Sequence, residues 1–178
     1  MLSPLVNIPI VDTIHCHERL TNVVLRHCDI NDKALGKILK ELEKLSNIEF
    51  LDFSSNDLSE LACQYIQEYL VHDGSEKLRV LILNECRLYD AGVQTLANAL
   101  YERYELRGLN KYWLQNDRFG AGLPSLRKII LPLERLSLAD VKMGDQGLFA
   151  LAQKFYKIKM HNLEDGREYE NLIELDFS

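Results

Sequence analysis

The chain has 178 residues, 47% of them hydrophobic and 27% charged, which suits one soluble globular domain with a continuous core. Its net charge of −6 and the absence of any basic run argue against nucleic-acid binding, which needs a basic stripe. No stretch approaches the ~20 apolar residues of a membrane helix, so membrane insertion is not expected.

Residues 1–19 come first. Leu2, Val6, Ile10 and Ile14 are spaced by four, and Ser3-Pro4 makes a good helix start. Pro9 argues against an unbroken helix. Two readings stay open: the helix half of an incomplete repeat, or an extended cap. The segment lacks the basic leader of a signal peptide.

From residue 20 a pattern recurs, L-x-x-L-x-L-x-x-[N/C]-x-L, clearest as LRVLILNECRL over Leu78 to Leu88. Copies start at Leu20, Ile48, Leu78, Leu109, Leu133 and Leu172. The second apolar column reads Val23, Leu51, Leu81, Tyr112, Leu136, Leu175, and the third Leu25, Phe53, Leu83, Leu114, Leu138, Phe177. Apolar residues three and then two apart predict a short strand leaving a turn. Ile30, Leu58, Leu88, Phe119 and Met143 close the copies.

Each copy then continues at a spacing of four. A small residue (Ala34, Ala62, Gly92, Gly122, Gly147) precedes two apolar columns, Ile38, Ile66, Leu96, Leu126, Leu151 and Leu42, Leu70, Leu100, Ile130, Phe155. That spacing predicts a helix whose one face points back at the strands, the small residue letting it sit close. The segments LYDAGVQTLANAL and MGDQGLFALAQKF resemble the helix half of the ribonuclease-inhibitor type of leucine-rich repeat. The resemblance covers about residues 20–178. It implies an α/β leucine-rich repeat solenoid: a horseshoe with parallel strands on the concave face and helices on the convex face. About five repeats and a terminal strand are expected.

The period is irregular, with start-to-start spacings of 28, 30, 31, 24 and 39 residues. The fourth copy is shortened before Pro132, and the fifth carries an insertion over about 157–171 expected to bulge as a charged loop or short helix. LIELDFS opens a sixth strand with neither loop nor helix after it. It reads as a capping strand, as an edge covered by a partner, or as a cut in a longer array.

Cys28 and Cys86 share a column with Asn56, Asp117 and Val141. In this repeat class that side chain turns inward and hydrogen-bonds neighbouring backbone; a thiol fills the place as a small buried group. With Cys16 and Cys63 they read as reduced thiols of a cytoplasmic protein.

Strand residues between the buried leucines should face the concave side. There we place the candidate partner-binding residues Val24, Arg26, Phe50, Asp52, Val80, Ile82, Asn84, Lys111, Trp113, Gln115 and Arg135. Phe50, Val80, Ile82 and Trp113 are expected to cluster as an apolar anchor, with Arg26, Lys111 and Arg135 adding positive charge.

His15-Cys16-His17-Glu18 has metal-ligand types but no second pair at suitable spacing, so no metal site is expected. No phosphate-binding loop is present and no catalytic set can be argued, so neither cofactor nor enzyme activity is expected. The leading expectation is a protein-binding module for a protein partner. A structural part of a cytoskeletal or ciliary assembly is the alternative. The resemblance also brings in the repeat-type GTPase-activating proteins, though no loop motif here carries that role.

Overall fold

The computed structural model describes residues 19–116, 133–164 and 174–177. Among these residues five short strands alternate with four helices: β1 (Asn22–Val24), α1 (Asp32–Leu42), β2 (Phe50–Asp52), α2 (Glu60–Val71), β3 (Val80–Ile82), α3 (Tyr89–Asn116), β4 (Arg135–Ser137), α4 (Asp145–Glu164) and β5 (Glu174–Asp176). A single 3₁₀ turn, Asp73–Ser75, follows α2. The strands form one parallel sheet in sequential order, β1-β2-β3-β4-β5.

The register repeats the sequence columns except for the Tyr112 row, which has no strand in the sheet. Val23 pairs with Leu51, Leu51 with Leu81, Leu81 with Leu136, and Leu136 with Leu175. These central positions face the helices. Val23, Leu51, Leu81 and Leu136 join Leu35, Ile38, Ile66, Leu96 and Leu151 in one buried core. The helical columns also behave as their spacing predicts: Ala34, Ala62, Leu42, Leu70 and Leu100 are buried, and Phe155 packs against the core from its edge. At Gly92 a Cβ would sit 2.9 Å from the Cys63 Sγ, so this column must be small for α3 to approach α2.

Local chemistry sets the helix starts. The Asn31 side chain accepts the Ala34 N–H at 3.0 Å, and Ser59 caps α2 through the Leu61 N–H at 3.2 Å. Asp32 and Asp90, each two residues past a closing apolar residue, add links between units. Asp32 accepts from the Ser59 N–H (2.8 Å) and Oγ (2.6 Å) of the next unit. Asp90 accepts from Gly144 N–H (2.7 Å) and Gly147 N–H (2.8 Å).

The turn after each strand repeats as well. His27, Ser55, Glu85 and Asp140, two residues past the third apolar column, all take positive φ, from 51° to 57°. None is glycine, so each carries a strain of roughly 1 kcal/mol. The turn swings the following residue inward, and Asn56 shows the result. Its Oδ1 accepts from the Cys28 and Ile30 N–H groups at 3.0 and 3.1 Å, while its Nδ2 donates to the Leu25 and Phe53 carbonyls at 2.7 Å. Cys86 fills the same place with long contacts, 3.7 Å to the Phe53 carbonyl and 3.5 Å to that of Asn84. Val141 is simply buried. Cys28, Cys63 and Cys86 are free thiols, and burial pushes the Cys63 thiol well up from its ordinary pKa and raises that of Cys86.

One expected copy is not a copy. The segment from Leu109 continues α3, which runs unbroken for 28 residues to Asn116, and β3 pairs directly with β4. Through Asn116 the copy starting at 109 continues the unit starting at 78, so the described residues form four strand–helix units and a fifth strand. Leu109, Tyr112 and Leu114 match the strand columns, but Leu106, Leu109 and Trp113 also lie three and four apart, the spacing of a helix. Only Gly108 could interrupt it, and a lone glycine costs a helix about 1 kcal/mol, too little to break one already nucleated. At 1.5 Å per residue α3 is about 42 Å long, against about 17 Å for α1. The insertion expected over 157–171 likewise begins as helix, because α4 extends to Glu164. Residues 1–18, with His15-Cys16-His17-Glu18, lie outside the described residues, as do Asp117, Phe119, Gly122, Leu126, Ile130, 165–171 and Ser178.

A buried arginine fastens the long unit. The Arg103 guanidinium donates to the Leu70 carbonyl and Ser75 Oγ at 2.7 Å and to the Ser75 carbonyl at 2.8 Å. It ties α3 to the connection between α2 and β3, and no local sequence pattern marks it.

Candidate functional site

The first and third residues of each strand lie on the sheet face away from the helices. Row by row this face reads Asn22, Phe50, Val80, Arg135, Glu174 and then Val24, Asp52, Ile82, Ser137, Asp176. Eight of the eleven residues placed there from sequence lie on these strands or just past them: Val24, Arg26, Phe50, Asp52, Val80, Ile82, Asn84 and Arg135. Lys111, Trp113 and Gln115 do not, because they belong to α3 and not to a strand. The apolar cluster expected around Trp113 therefore reduces to its sheet members.

Those members differ in exposure. Val24 is 56% exposed. Phe50 and Val80, paired on neighbouring strands, are half-buried. Ile82 is only 8% exposed and belongs to the sheet's packing more than to its surface. Parallel strands stand about 4.8 Å apart, so Phe50 and Val80 form one apolar ridge, with Val24 beside it on β1.

The charges are answered within the chain. Arg26 pairs with Asp52 on the adjacent strand, and that hydrogen bond holds the guanidinium pKa above its ordinary value. The Asp52 side chain is fully buried and also accepts from the Ser54 N–H (3.0 Å) and Oγ (2.7 Å). Such a carboxylate survives burial because every oxygen is occupied. Arg135 lies 3.5 Å from Asp176 and 3.9 Å from Glu174. The Ser137 hydroxyl sits between Asn84 Oδ1 (2.8 Å) and Asp176 Oδ2 (3.0 Å), and Asn84 Oδ1 also accepts the Ala139 N–H (3.0 Å). Arg79 and Glu134 add a pair at 2.7 Å between the entrances of β3 and β4.

This corrects the expected electrostatics. Arg26 and Arg135 stand beside three carboxylates, those of Asp52, Glu174 and Asp176, so among the described residues the face carries no cationic excess. The polar side chains form a lattice that fixes neighbouring strands, and the apolar ridge stands outside it. The signal for the lattice was present in the sequence columns, where an acid on one strand lies beside a base on the next.

No family model matches the chain, and no curated protein matches it. A solved structure does. The chain is similar to the actin-binding site 2 of leiomodin-1, with a TM-score of 0.53 over 92% of this chain and 98% of that one. At 12% identity the likeness is one of fold. No helix among the described residues is long and apolar enough to cross a membrane.

Proposed function

We propose that this chain is a leucine-rich repeat array of the ribonuclease-inhibitor type, curved as a horseshoe, and that it works as a non-enzymatic protein-binding module of the cytoplasm. Sequential parallel pairing, the inward-turned Asn56 and the repeated positive-φ turns support the repeat reading. The free buried thiols suit a reducing compartment.

The observation that carries the binding role is the apolar ridge of Val24, Phe50 and Val80 on a sheet face whose charges are already paired. Apolar and aromatic groups inside a polar rim are what a partner's anchor residue buries. The likeness to a structure titled an actin-binding site makes actin the first partner to test and supports a cytoskeletal setting.

Co-sedimentation with filamentous actin and capture from native lysate with mass spectrometry form the test, each run with Phe50→Ala and Val24→Glu. A partner captured by the parent chain should bind each variant at least about tenfold more weakly, as loss of an interface anchor does. Unchanged capture by folded variants would refute the sheet face as the working surface.

A further inference from the structure

We propose that a second docking site lies in the helical layer, where a cleft between the first turns of α3 and α4 takes an arginine-bearing segment of a protein partner. The cleft has a volume of about 650 Å³, within the range of sites that hold ligands, roughly 300–1,000 Å³. Asp90, Gln94, Asp145, Phe149 and Gln153 line it.

The first argument is charge. Asp90 is held rigidly, its Oδ1 accepting the Gly144 and Gly147 N–H groups, while its Oδ2 has no partner among the described residues. Asp145 has neither ion pair nor hydrogen bond among them. Nearby cations are already engaged: Lys142 contacts Asp140 at 2.6 Å, and the Lys154 ammonium sits 5.1 Å over the Tyr101 ring. Two helix starts contribute roughly +0.5 each, so two full carboxylates leave the cleft about one negative charge. No lysine or arginine among the described residues lines it.

The second argument is the aromatic group. Phe149 is 68% exposed at the cleft, an unusual place for a phenyl ring. A planar guanidinium stacks on such a ring while donating in its plane to a carboxylate and to carboxamide oxygens. Asp145, Gln94 and Gln153 supply those acceptors. A lysine ammonium cannot do both at once, so the site should prefer arginine. The surface belongs to the helices and not to the open sheet face, so it stands or falls independently of the function proposed above.

The test is an NMR titration of the full chain with the acetylated, amidated tripeptide Leu-Arg-Leu and with its citrulline counterpart, which keeps the shape and loses the charge. Shifts should centre on the amides of Ala91, Gln94, Asp145 and Phe149. The citrulline peptide should bind about fivefold more weakly or worse. Asp145→Asn and Phe149→Ala should each weaken the arginine peptide by about threefold to fivefold. Asp145→Glu keeps the charge and should retain binding. Shifts scattered over the surface would overturn the proposal, as would equal binding of the citrulline peptide or indifference to both substitutions in folded protein.

Discussion

Replacing Asn56 by alanine would remove the side chain that locks two consecutive units together. The loss can be worked from the structure. Two N–H groups, of Cys28 and Ile30, lose their acceptor, and Ile30 is fully buried. An unsatisfied buried donor costs about 1–3 kcal/mol. The Leu25 carbonyl loses its donor too, whereas the Ser54 carbonyl keeps the His27 N–H at 3.2 Å. The expected destabilisation is therefore about 3 kcal/mol, with water entering the gap setting the lower limit near about 2. Cys86→Ala at the same place in the next unit is the internal control. Its long sulfur contacts are weak, so only a small apolar burial is lost, about 1 kcal/mol. Urea denaturation followed by circular dichroism gives both values from the shift in midpoint at constant slope. Hydrogen exchange should show the Cys28 and Ile30 amides losing protection in Asn56→Ala. A cost under about 1 kcal/mol for Asn56→Ala, or an equal cost for the two variants, would refute the view that the amide bears this turn.

Three further outcomes are expected. Gly74→Ala would bring a Cβ to 2.2 Å from the Glu43 carbonyl oxygen, so backbone must move and stability should fall by at least about 2 kcal/mol in the same urea assay. Gly108→Ala should raise stability by up to about 1 kcal/mol because position 108 is inside α3; a loss would favour a turn there and a strand after it. Burial raises the pKa of the Cys63 and Cys86 thiols, so the folded chain keeps those protons while the unfolded chain releases them above about pH 8.5. Their contribution is complete below that pH and is lost as pH rises, so the urea midpoint should fall between about pH 8.5 and 10, and Cys63→Ala should flatten the fall.

The strand and helix columns were legible in the sequence because each unit repeats one local problem. A short strand, a tight turn and a helix must bury one stripe of leucines, and only regular spacing does so in every copy. The pairing of Val23 with Leu51 and of Leu51 with Leu81 follows from those columns alone, whereas that of Leu81 with Leu136 skips the Tyr112 row the columns placed between them. Leu109 to Leu114 misled for a physical reason. A strand pattern with steps of three and two residues and a helix pattern with steps of three and four share their first step, and neighbouring apolar residues fit both. The choice falls to tertiary packing, and through Asn116 the segment continues α3. The candidate site was half legible. Alternation placed Val24, Phe50 and Val80 on the open face, but it gave every such residue equal exposure.

What the sequence determined by itself is the repeated unit: its core leucines and its small column. Periodicity encodes these because each is satisfied within one unit or by its neighbour. What only the tertiary structure decided is how many units the described residues form, that Arg26 and Arg135 are neutralised by carboxylates one strand away, and that Arg103 reaches back to Ser75. Those depend on distances between residues 25 to 50 positions apart, which side-chain spacing along a single chain does not specify.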